Sequence, residues 1–349
     1  MSHTGTGLAK CYDALLLDLD GVLYIGEDPV PHAAESLAAC AQHYDAKRAY
    51  ITNNASRTPE QVVAVLDGVG VSASVNEVVT SAQVAAEHLA STLPQDSRVL
   101  VVGGEGLDKA LVAEGLVPVR SLEEEPVAVV QGFHRDVGWR DLALASVAVA
   151  RGIPWVASNT DMTIPTPLGI APGNGTLVAA VATASGKAPV VVGKPQRPAI
   201  DSAIKRLGST RPLIVGDRLD TDIEAANRVG IPSLLVMTGV TDVKTVCCAP
   251  PHQRPTFIGM DLRTLLEPYE SPTTSSNLVE LGKWRFAVSD GGVELVDRGE
   301  LAINGLRALA SACWMSAVEG VVEENVVAEA VDVVQRSITA ALADRSQKA

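Results

Sequence analysis

Aromatic and basic residues are both scarce in this chain. Aromatic side chains make up 3% of the 349 residues, and the formal net charge is −13, because 41 acidic residues outnumber 28 Lys and Arg. Such a chain repels nucleic acid and anionic membranes at long range, and it has few rings to stack on bases. We therefore expect no nucleic acid partner.

Long apolar runs and cysteine motifs are also missing. No apolar run reaches the ~18 residues that a membrane-spanning helix needs, and residues 1–10 lack the pattern of a secretory signal. The five cysteines include no Cys-x-x-Cys pair, and the adjacent Cys247 and Cys248 do not match structural zinc sites. The histidines form no H-E-x-x-H or similar cluster. We expect a cytoplasmic protein with reduced thiols and no membrane span.

Hydrophobic residues form 47% of the chain, in short runs that alternate with helix patterns. Leu15–Leu17, Arg98–Val102 and Pro212–Val215 are typical of buried strands, and each precedes a turn and then a helix pattern. This alternation favours an α/β fold with a parallel sheet. At ~150 residues per domain, the length predicts two or three domains.

Two carboxylates follow the first of these runs. Asp18 and Asp20 are separated by one residue, so an extended backbone directs both to the same side, and Gly21 allows a sharp turn after them. Such a pair can share a cation or divide a reaction between nucleophile and acid/base. The alternative is a carboxylate that caps an ordinary strand-to-helix turn.

A polar cluster, Thr52–Arg57, follows the second predicted strand and precedes Thr58 and Pro59, which are typical of a helix start. A hydroxyl, two amides and a helix N-terminus together favour an anion such as phosphate. A polar turn with a capping threonine is the alternative.

Two further predicted strands end in charged groups. Val190–Val192 leads to Lys194, which could hold an anion or be an ordinary surface lysine. Asp217, Asp220 and Asp222 follow another strand, and their clustering requires a compensating lysine or a divalent cation, for which hard oxygen ligands favour Mg²⁺.

Residues 158–176 are rich in proline, glycine and polar side chains, which predicts a long loop. We expect this loop to be either a specificity loop, with Asn159 and Asp161 as discriminating residues, or a structural connection. Residues 270–277 have linker composition. The tail beyond them predicts a hairpin around Asp290–Gly292 and two helices, with a packing, dimerisation or regulatory role.

Four of these segments together resemble the motifs of the haloacid dehalogenase superfamily of phosphotransferases: Asp18–Tyr24, Thr52–Asn54, Gly193–Pro195 and Gly216–Asp222. The resemblance is to the subclass with a large α/β cap, and it covers about residues 11–265. It implies a Rossmann-like doubly wound core at 11–83 and 187–265 and a cap at 84–186. The rest would be a linker at 266–277 and an α+β extension at 278–345.

The resemblance also implies roles for individual residues. Asp18 would be the nucleophile that forms an aspartyl-phosphate, and Asp20 the acid and then the base. Mg²⁺ would be held by Asp18, the backbone carbonyl of Asp20, and Asp217, with Asp222 orienting them. The phosphoryl oxygens would be held by Thr52, Asn53, Asn54 and Lys194.

A cap that excludes water and large molecules implies a small phosphate monoester as substrate. Within the subclass the likeness favours glycerol 3-phosphate, with 2-phosphoglycolate and pyridoxal phosphate as alternatives. A phosphomutase and a phosphoryl-binding regulator without activity are the other hypotheses. Homo-oligomer formation through the cap or the extension is left open.

Overall fold

The computed structural model describes residues 6–166, 168–289, 292–317 and 327–346. The strands are β1 (Ala14–Leu17), β2 (Tyr24–Ile25), β3 (Asp28–Pro29), β4 (Lys47–Thr52), β5 (Val78–Thr80), β6 (Arg98–Val102), β7 (Val117–Val119), β8 (Ala128–Gln131), β9 (Trp155–Ala157), β10 (Thr163–Thr166), β11 (Gly169–Pro172), β12 (Val190–Val191), β13 (Pro212–Gly216), β14 (Ser233–Val236), β15 (Phe257–Gly259), β16 (Thr273–Ser275), β17 (Leu278–Leu281), β18 (Trp284–Ser289) and β19 (Gly292–Asp297). The helices are α1 (Ala33–His43), α2 (Pro59–Gly68), α3 (Ser81–Ala90), α4 (Glu105–Ala113), α5 (Trp139–Ala150), α6 (Asn174–Ser185), α7 (Arg197–Leu207), α8 (Glu224–Val229), α9 (Val243–Cys247), α10 (Ala302–Ser316) and α11 (Ala328–Ser346).

The chain divides into two compact units. The first comprises Met1–Arg48, Val69–Val71 and Ser209–Ala349, and the second comprises Ala49–Gly68 and Ser72–Gly208. In the first unit, β1, β13, β14 and β15 pair in that order, all parallel. Leu15–Leu17 are at most 1% exposed, as expected for a strand of a parallel sheet covered on both faces. The carboxyl ends of β1 and β13 therefore meet at one edge of this sheet.

The tail packs as part of the first unit. Strands β16–β19 form an antiparallel sheet in chain order, and α10 lies against β17 and β18. The rings of Trp284 and Phe286 in this sheet are stacked, with their centroids 6.1 Å apart. They lie in one hydrophobic cluster with Ile258 of β15 and Leu309 of α10. The tail thus extends the core of the first unit.

The second unit contains a five-stranded parallel sheet with the strand order β12-β9-β8-β6-β7. Chain order reverses at β6, because β7 lies on one side of it and β8 on the other. Helices α5 and α6 cover one face, where Val129 and Trp155 pack with Ala148 and Val178. Strand β4 also pairs in parallel with β5 in this unit, with Tyr50 opposite Val78.

Residues 158–176 differ from the predicted loop. Strands β10 and β11 form an antiparallel hairpin within them, and α6 already begins at Asn174, inside the segment predicted as a loop. A proline in each strand conceals this hairpin in the sequence. Both strands are edges of a two-stranded sheet, where a missing N–H is tolerated.

Other predictions need smaller corrections. The apolar run Val190–Val192 is typical of a buried strand, but β12 is an edge strand in which Val190 is 52% exposed. Thr273–Ser275, which the composition assigns to a linker, pair with β17. The sequence pattern places the start of the next helix at Asp222, but a π-helical turn, Leu219–Ile223, already precedes α8. The predicted turn residues Asp290 and Gly291 lie outside the described residues.

The alternation of parallel strands and helices confirms the predicted α/β fold with a Rossmann-like core and an α+β extension. The predicted domain boundaries stay a prediction. Within the described ranges, no helix is both long enough and apolar enough to cross a membrane.

Candidate active site

Three carboxylates come together at the sheet edge of the first unit. Asp18 directly follows β1, and its N–H donates to the carbonyl of Val215 at 2.9 Å, so strand pairing continues up to this carboxylate. Asp217 directly follows β13, and Asp222 lies in the π-helical turn after it. One carboxylate oxygen from each of Asp18, Asp217 and Asp222 lies within 4.8 Å of the other two.

Asp217 and Asp222 are almost completely buried, with exposures of 1% and 0%. The N–H of Val240 donates to Oδ2 of Asp217 at 2.8 Å, and the hydroxyl of Thr241 donates to the Asp217 carbonyl at 2.5 Å. The N–H of Arg218 donates to Oδ2 of Asp222 at 3.2 Å. Backbone N–H donors therefore hold both side chains in place, and the Thr241 hydroxyl holds the backbone of Asp217.

This cluster fits the Mg²⁺ ion that the sequence predicts. Closely spaced carboxylates with little access to water repel one another unless a cation compensates them, and sets of oxygen donors suit Mg²⁺. Asp18 and Asp217 would hold the ion. Asp222, which is predicted to orient these ligands, contributes an oxygen to the same cluster. Bound Mg²⁺ would supply positive charge to phosphoryl oxygens. Asp220 lies outside the cluster, since it is exposed and pairs with Arg218 at 2.8 Å.

Asp20 has different surroundings from Asp18. Asp20 is exposed, and the chain turns immediately after it at Gly21, whose φ is +77°. The N–H of Gly21 donates to the Tyr24 carbonyl at 2.8 Å, and the hydroxyl of Thr238 donates to the Gly21 carbonyl at 2.5 Å. Two carboxylates in different environments can hold different protonation states, which a nucleophile and an acid require.

The polar cluster after β4 lies in the second unit and is ordered by its own side chains. The N–H of Asn54 donates to Oγ1 of Thr52 at 3.1 Å. Oδ1 of Asn54 accepts the N–H and the hydroxyl of Ser56 at 2.8 and 2.7 Å. Thr58 accepts the Gln61 N–H at 3.3 Å, so the predicted cap of α2 is confirmed. These local hydrogen bonds stabilise the conformation of the loop.

Four other predicted residues meet in the same unit. Lys194 is 3% exposed, and its Nζ donates to the carbonyl of Ile51 at 3.2 Å. This burial argues against an ordinary surface lysine. Nδ2 of Asn53 donates to the Lys194 carbonyl at 3.0 Å and to both carboxylate oxygens of Asp161 at 3.2 Å. Nδ2 of Asn159 donates to the Asn53 carbonyl at 2.6 Å.

Sequence reasoning missed two sets of supporting residues. Thr238–Thr241 follow β14 and hold the Gly21 and Asp217 segments through the bonds described above. Their position directly after a buried parallel strand was the available signal. Ser81 and Asn174, which bond to Asn53 and Asn159, carry no signal in the sequence beyond being helix-start residues.

Two family models match the chain. Residues 15–117 match a haloacid dehalogenase-like hydrolase model, and residues 191–265 match a model described as HAD-hydrolase-like. Over 88% of its length, the chain is 42% identical to the D-glycerol 3-phosphate phosphatase of Mycobacterium tuberculosis, of which it covers 87%. The chain belongs to the haloacid dehalogenase-like hydrolases. The family predicted from the four motifs is thus confirmed.

Other haloacid dehalogenase-like hydrolases show the same likeness. An acid sugar phosphatase of Staphylococcus haemolyticus is 35% identical over 75% of this chain and 98% of its own length. A crystal structure of glycerol phosphate phosphatase from M. tuberculosis in complex with magnesium superposes with a TM-score of 0.81 at 43% identity, covering 89% of this chain and 92% of that chain. A p-nitrophenyl phosphatase from Archaeoglobus fulgidus gives a TM-score of 0.66 at 27% identity, with coverages of 73% and 98%.

Proposed function

We propose that this hydrolase is a Mg²⁺-dependent phosphatase that converts glycerol 3-phosphate and water to glycerol and inorganic phosphate. The cluster of Asp18, Asp217 and Asp222 carries the chemical part of the proposal, because it offers both a cation site and an oxygen nucleophile. The substrate is proposed from the likeness to the glycerol 3-phosphate phosphatase of M. tuberculosis.

In the proposed reaction, a carboxylate oxygen of Asp18 attacks phosphorus, and the bond from phosphorus to the glycerol oxygen breaks. Asp20 protonates the departing alkoxide. The resulting carboxylate of Asp20 then takes a proton from the water that attacks the aspartyl-phosphate, which releases inorganic phosphate and restores Asp18. The phosphoryl oxygens are held by the Thr52 hydroxyl, Lys194, the backbone N–H group of Asn53 and the side-chain amide of Asn54.

The proposal includes a cap formed by residues 84–186, which limits the substrate to small molecules. Asp161 is the better candidate for contact with the substrate, because the Asn159 amide is already bonded at both ends, through Nδ2 to the Asn53 carbonyl and through Oδ1 to the Asp161 N–H. Besides 2-phosphoglycolate and pyridoxal phosphate, sugar phosphates are alternative substrates because of the acid sugar phosphatase relative. A cytoplasmic location, the absence of a nucleic acid partner and a homo-oligomer formed through the cap or the C-terminal extension stay predictions.

The test is release of inorganic phosphate from a panel of these esters, with Mg²⁺ and with EDTA. We expect glycerol 3-phosphate to give the highest kcat/KM and EDTA to abolish turnover. Asp18→Asn should lose at least about 10³-fold in kcat, because the amide is a very poor nucleophile. The exposed Asp45→Asn, which makes the same chemical change away from the site, should match the wild type.

Each alternative gives a different result. If glycerol 3-phosphate ranks well below another ester, the substrate assignment is wrong. Equal turnover by the wild type and Asp18→Asn would exclude the covalent mechanism. A phosphomutase would keep the phosphate on the organic product, and a wild type that turns over no ester would favour the regulator hypothesis.

A further inference from the structure

The side chain of Asn53 brackets the backbone of Lys194. The N–H of Lys194 donates to Oδ1 of Asn53 at 2.8 Å, and Nδ2 of Asn53 donates back to the Lys194 carbonyl at 3.0 Å. The second hydrogen of Nδ2 is directed to Asp161. A primary amide has two donors. Both side-chain donors of Asn53 are therefore used inside the second unit. The resemblance implies instead that this residue holds a phosphoryl oxygen.

The backbone of Asn53 is held equally firmly. Its carbonyl accepts the hydroxyl of Ser81 at 2.6 Å and Nδ2 of Asn159 at 2.6 Å. A carbonyl oxygen has two lone pairs, so both are used. Ser81 and Asn159 are 1% and 4% exposed, and water therefore competes little for these bonds.

Asn159 is itself fixed by the base of the β10–β11 hairpin. The Asp161 N–H donates to its Oδ1 at 3.1 Å, and Nδ2 of Asn174 donates to its carbonyl at 2.7 Å. Asn174 begins α6 and is 1% exposed. The two legs of the hairpin are joined there, because the Gly175 N–H donates to the Asp161 carbonyl at 2.9 Å. A continuous series of bonds thus runs from Asn174 through Asn159 and Asn53 to Lys194.

The loop that carries Asn53 also rests on the five-stranded sheet. A Cβ built on Gly132, just after β8, would lie 2.8 Å from Cβ of Ala55. A Cβ on Gly106, in α4, would lie 2.7 Å from the Arg57 carbonyl. These glycines lie where chain order reverses at β6 and β8, the usual ligand position in an open α/β sheet. Here the chain's own loop occupies that position, which restricts its movement.

We propose that Asn53 and Asn159 are positioning residues that fix the backbone at Lys194, so that its ammonium group is held ready for a phosphoryl oxygen. Asn53 acts directly on the N–H and carbonyl of Lys194, and Asn159 acts through Asn53. The inference rests on the proposed function, in which Lys194 binds the phosphoryl group. It predicts that the side chain of Asn53 affects anion binding through the lysine.

A double-mutant cycle tests this dependence. The dissociation constant of orthovanadate, a phosphate mimic, is measured on the full-length Mg²⁺-loaded protein for the wild type, Asn53→Ala, Lys194→Ala and the double variant. We expect Asn53→Ala to weaken vanadate binding about tenfold when Lys194 is present and less than about twofold when it is absent, because coupled residues are not additive. If Asn53→Ala changed the dissociation constant of vanadate by the same factor with and without Lys194, the proposal would be overturned.

Asn159→Leu provides a second cycle if Asn53→Ala yields little folded protein. It removes the donor to the Asn53 carbonyl with a side chain of similar size and without adding a charge near the anion, and the same pattern of fold-changes is expected. Asn227→Ala is the matched control, because Nδ2 of Asn227 also donates to two carbonyls, at 2.9 and 3.1 Å, but in the first unit. A tenfold effect of this control would likewise overturn the proposal.

The ester panel separates the two proposals. A protein that hydrolyses no ester but shows the coupled vanadate cycle would contradict the proposed function and support the positioning of Lys194. An active enzyme with equal factors in both backgrounds would contradict the positioning alone. For active variants, positioning predicts a higher KM with a smaller change in kcat, together with an unchanged half-saturating Mg²⁺ concentration.

Discussion

The backbone of Gly239 lies directly against the carboxylate of Asp217. A Cβ built on Gly239 would overlap Oδ2 of Asp217, the oxygen that also accepts the Val240 N–H at 2.8 Å. Gly21 approaches from the other strand end, where a Cβ would lie 2.5 Å from the same oxygen. The Asp217 carboxylate is thus enclosed by two glycines, and a side chain at either position would displace it.

Gly239→Ala should therefore weaken Mg²⁺ binding without removing any ligand. We expect the Mg²⁺ concentration for half-maximal phosphate release to rise about 10–100-fold, the usual cost of disturbing residues that support a metal ligand. Saturating Mg²⁺ should restore most of the activity. Gly68→Ala is the control, because a Cβ there would meet no atom within 4 Å. An unchanged Mg²⁺ requirement in Gly239→Ala would show that Asp217 does not depend on this contact.

The strand-end carboxylates could be predicted because their signal is local. An apolar run such as Leu15–Leu17 predicts a buried strand, and the next polar residue then falls at the ligand-binding edge of the sheet. The same argument predicts that Asp217 lies at this edge. The contact with Gly239 could not be predicted, because it depends on how the segment after β14 returns to the edge.

Other features were missed because their cause lies far away in the sequence. Thr273–Ser275 is a polar segment that becomes a strand only through pairing with β17. Asn53 was identified as a site residue from its residue type and place, but its hydrogen-bond partner Lys194 is 141 positions away. Residue type and order are therefore enough to propose the site residues, whereas the directions of their hydrogen bonds require the structure.

Asp13 should make the stability of the first unit depend on pH. Burial raises the pKa of its carboxyl group, but hydrogen bonds from Ser209, Thr210 and Arg211 outweigh this and hold the pKa well below its usual range. A lowered pKa in the folded state means that the stabilisation is complete above the unfolded pKa of about 3.9 and is lost as the pH falls below it.

Asp13→Asn should accordingly lower the Tm at pH 7 by about 2–4 °C, since the amide accepts fewer of these hydrogen bonds. The difference from the wild type should stay constant between pH 7 and pH 5 and shrink as the pH falls below about 4. Thermal unfolding followed by circular dichroism measures both, with the exposed Asp45→Asn as the control for charge. A difference that grows on acidification would contradict the assigned sign.

Arg307 should contribute strongly to the attachment of the tail to the parallel sheet. Its Nε donates to the Ile258 carbonyl at 2.8 Å, and its guanidinium lies 4.0 Å from the ring centroid of Tyr269. Arg307→Ala would leave this carbonyl without its partner and create a cavity, so we expect a loss of about 2–4 kcal/mol of unfolding free energy. Arg298→Ala, which removes an exposed guanidinium 5.9 Å from the ring centroid of Trp284, should cost less than about 1 kcal/mol. Urea denaturation compares the two variants, and equal losses would contradict the assigned importance of the buried contact.

Asp222→Asn should separate the stability of the metal-free protein from its affinity for Mg²⁺. In EDTA the three carboxylates of the cluster repel one another, and Asp222 is fully buried, so a neutral amide should raise the Tm by about 2–4 °C. With Mg²⁺ the order should reverse, because a ligand that binds the folded state stabilises it in proportion to RT ln(1 + [L]/Kd), and the variant binds the ion more weakly.

Asp220→Asn is the matched control from the same segment, since this exposed carboxylate pairs with Arg218 outside the cluster and should leave the Mg²⁺-induced rise in Tm unchanged. A lower Tm of Asp222→Asn in EDTA would mean that the hydrogen bond from the Arg218 N–H outweighs the repulsion, and the buried cluster would then be stable without a cation.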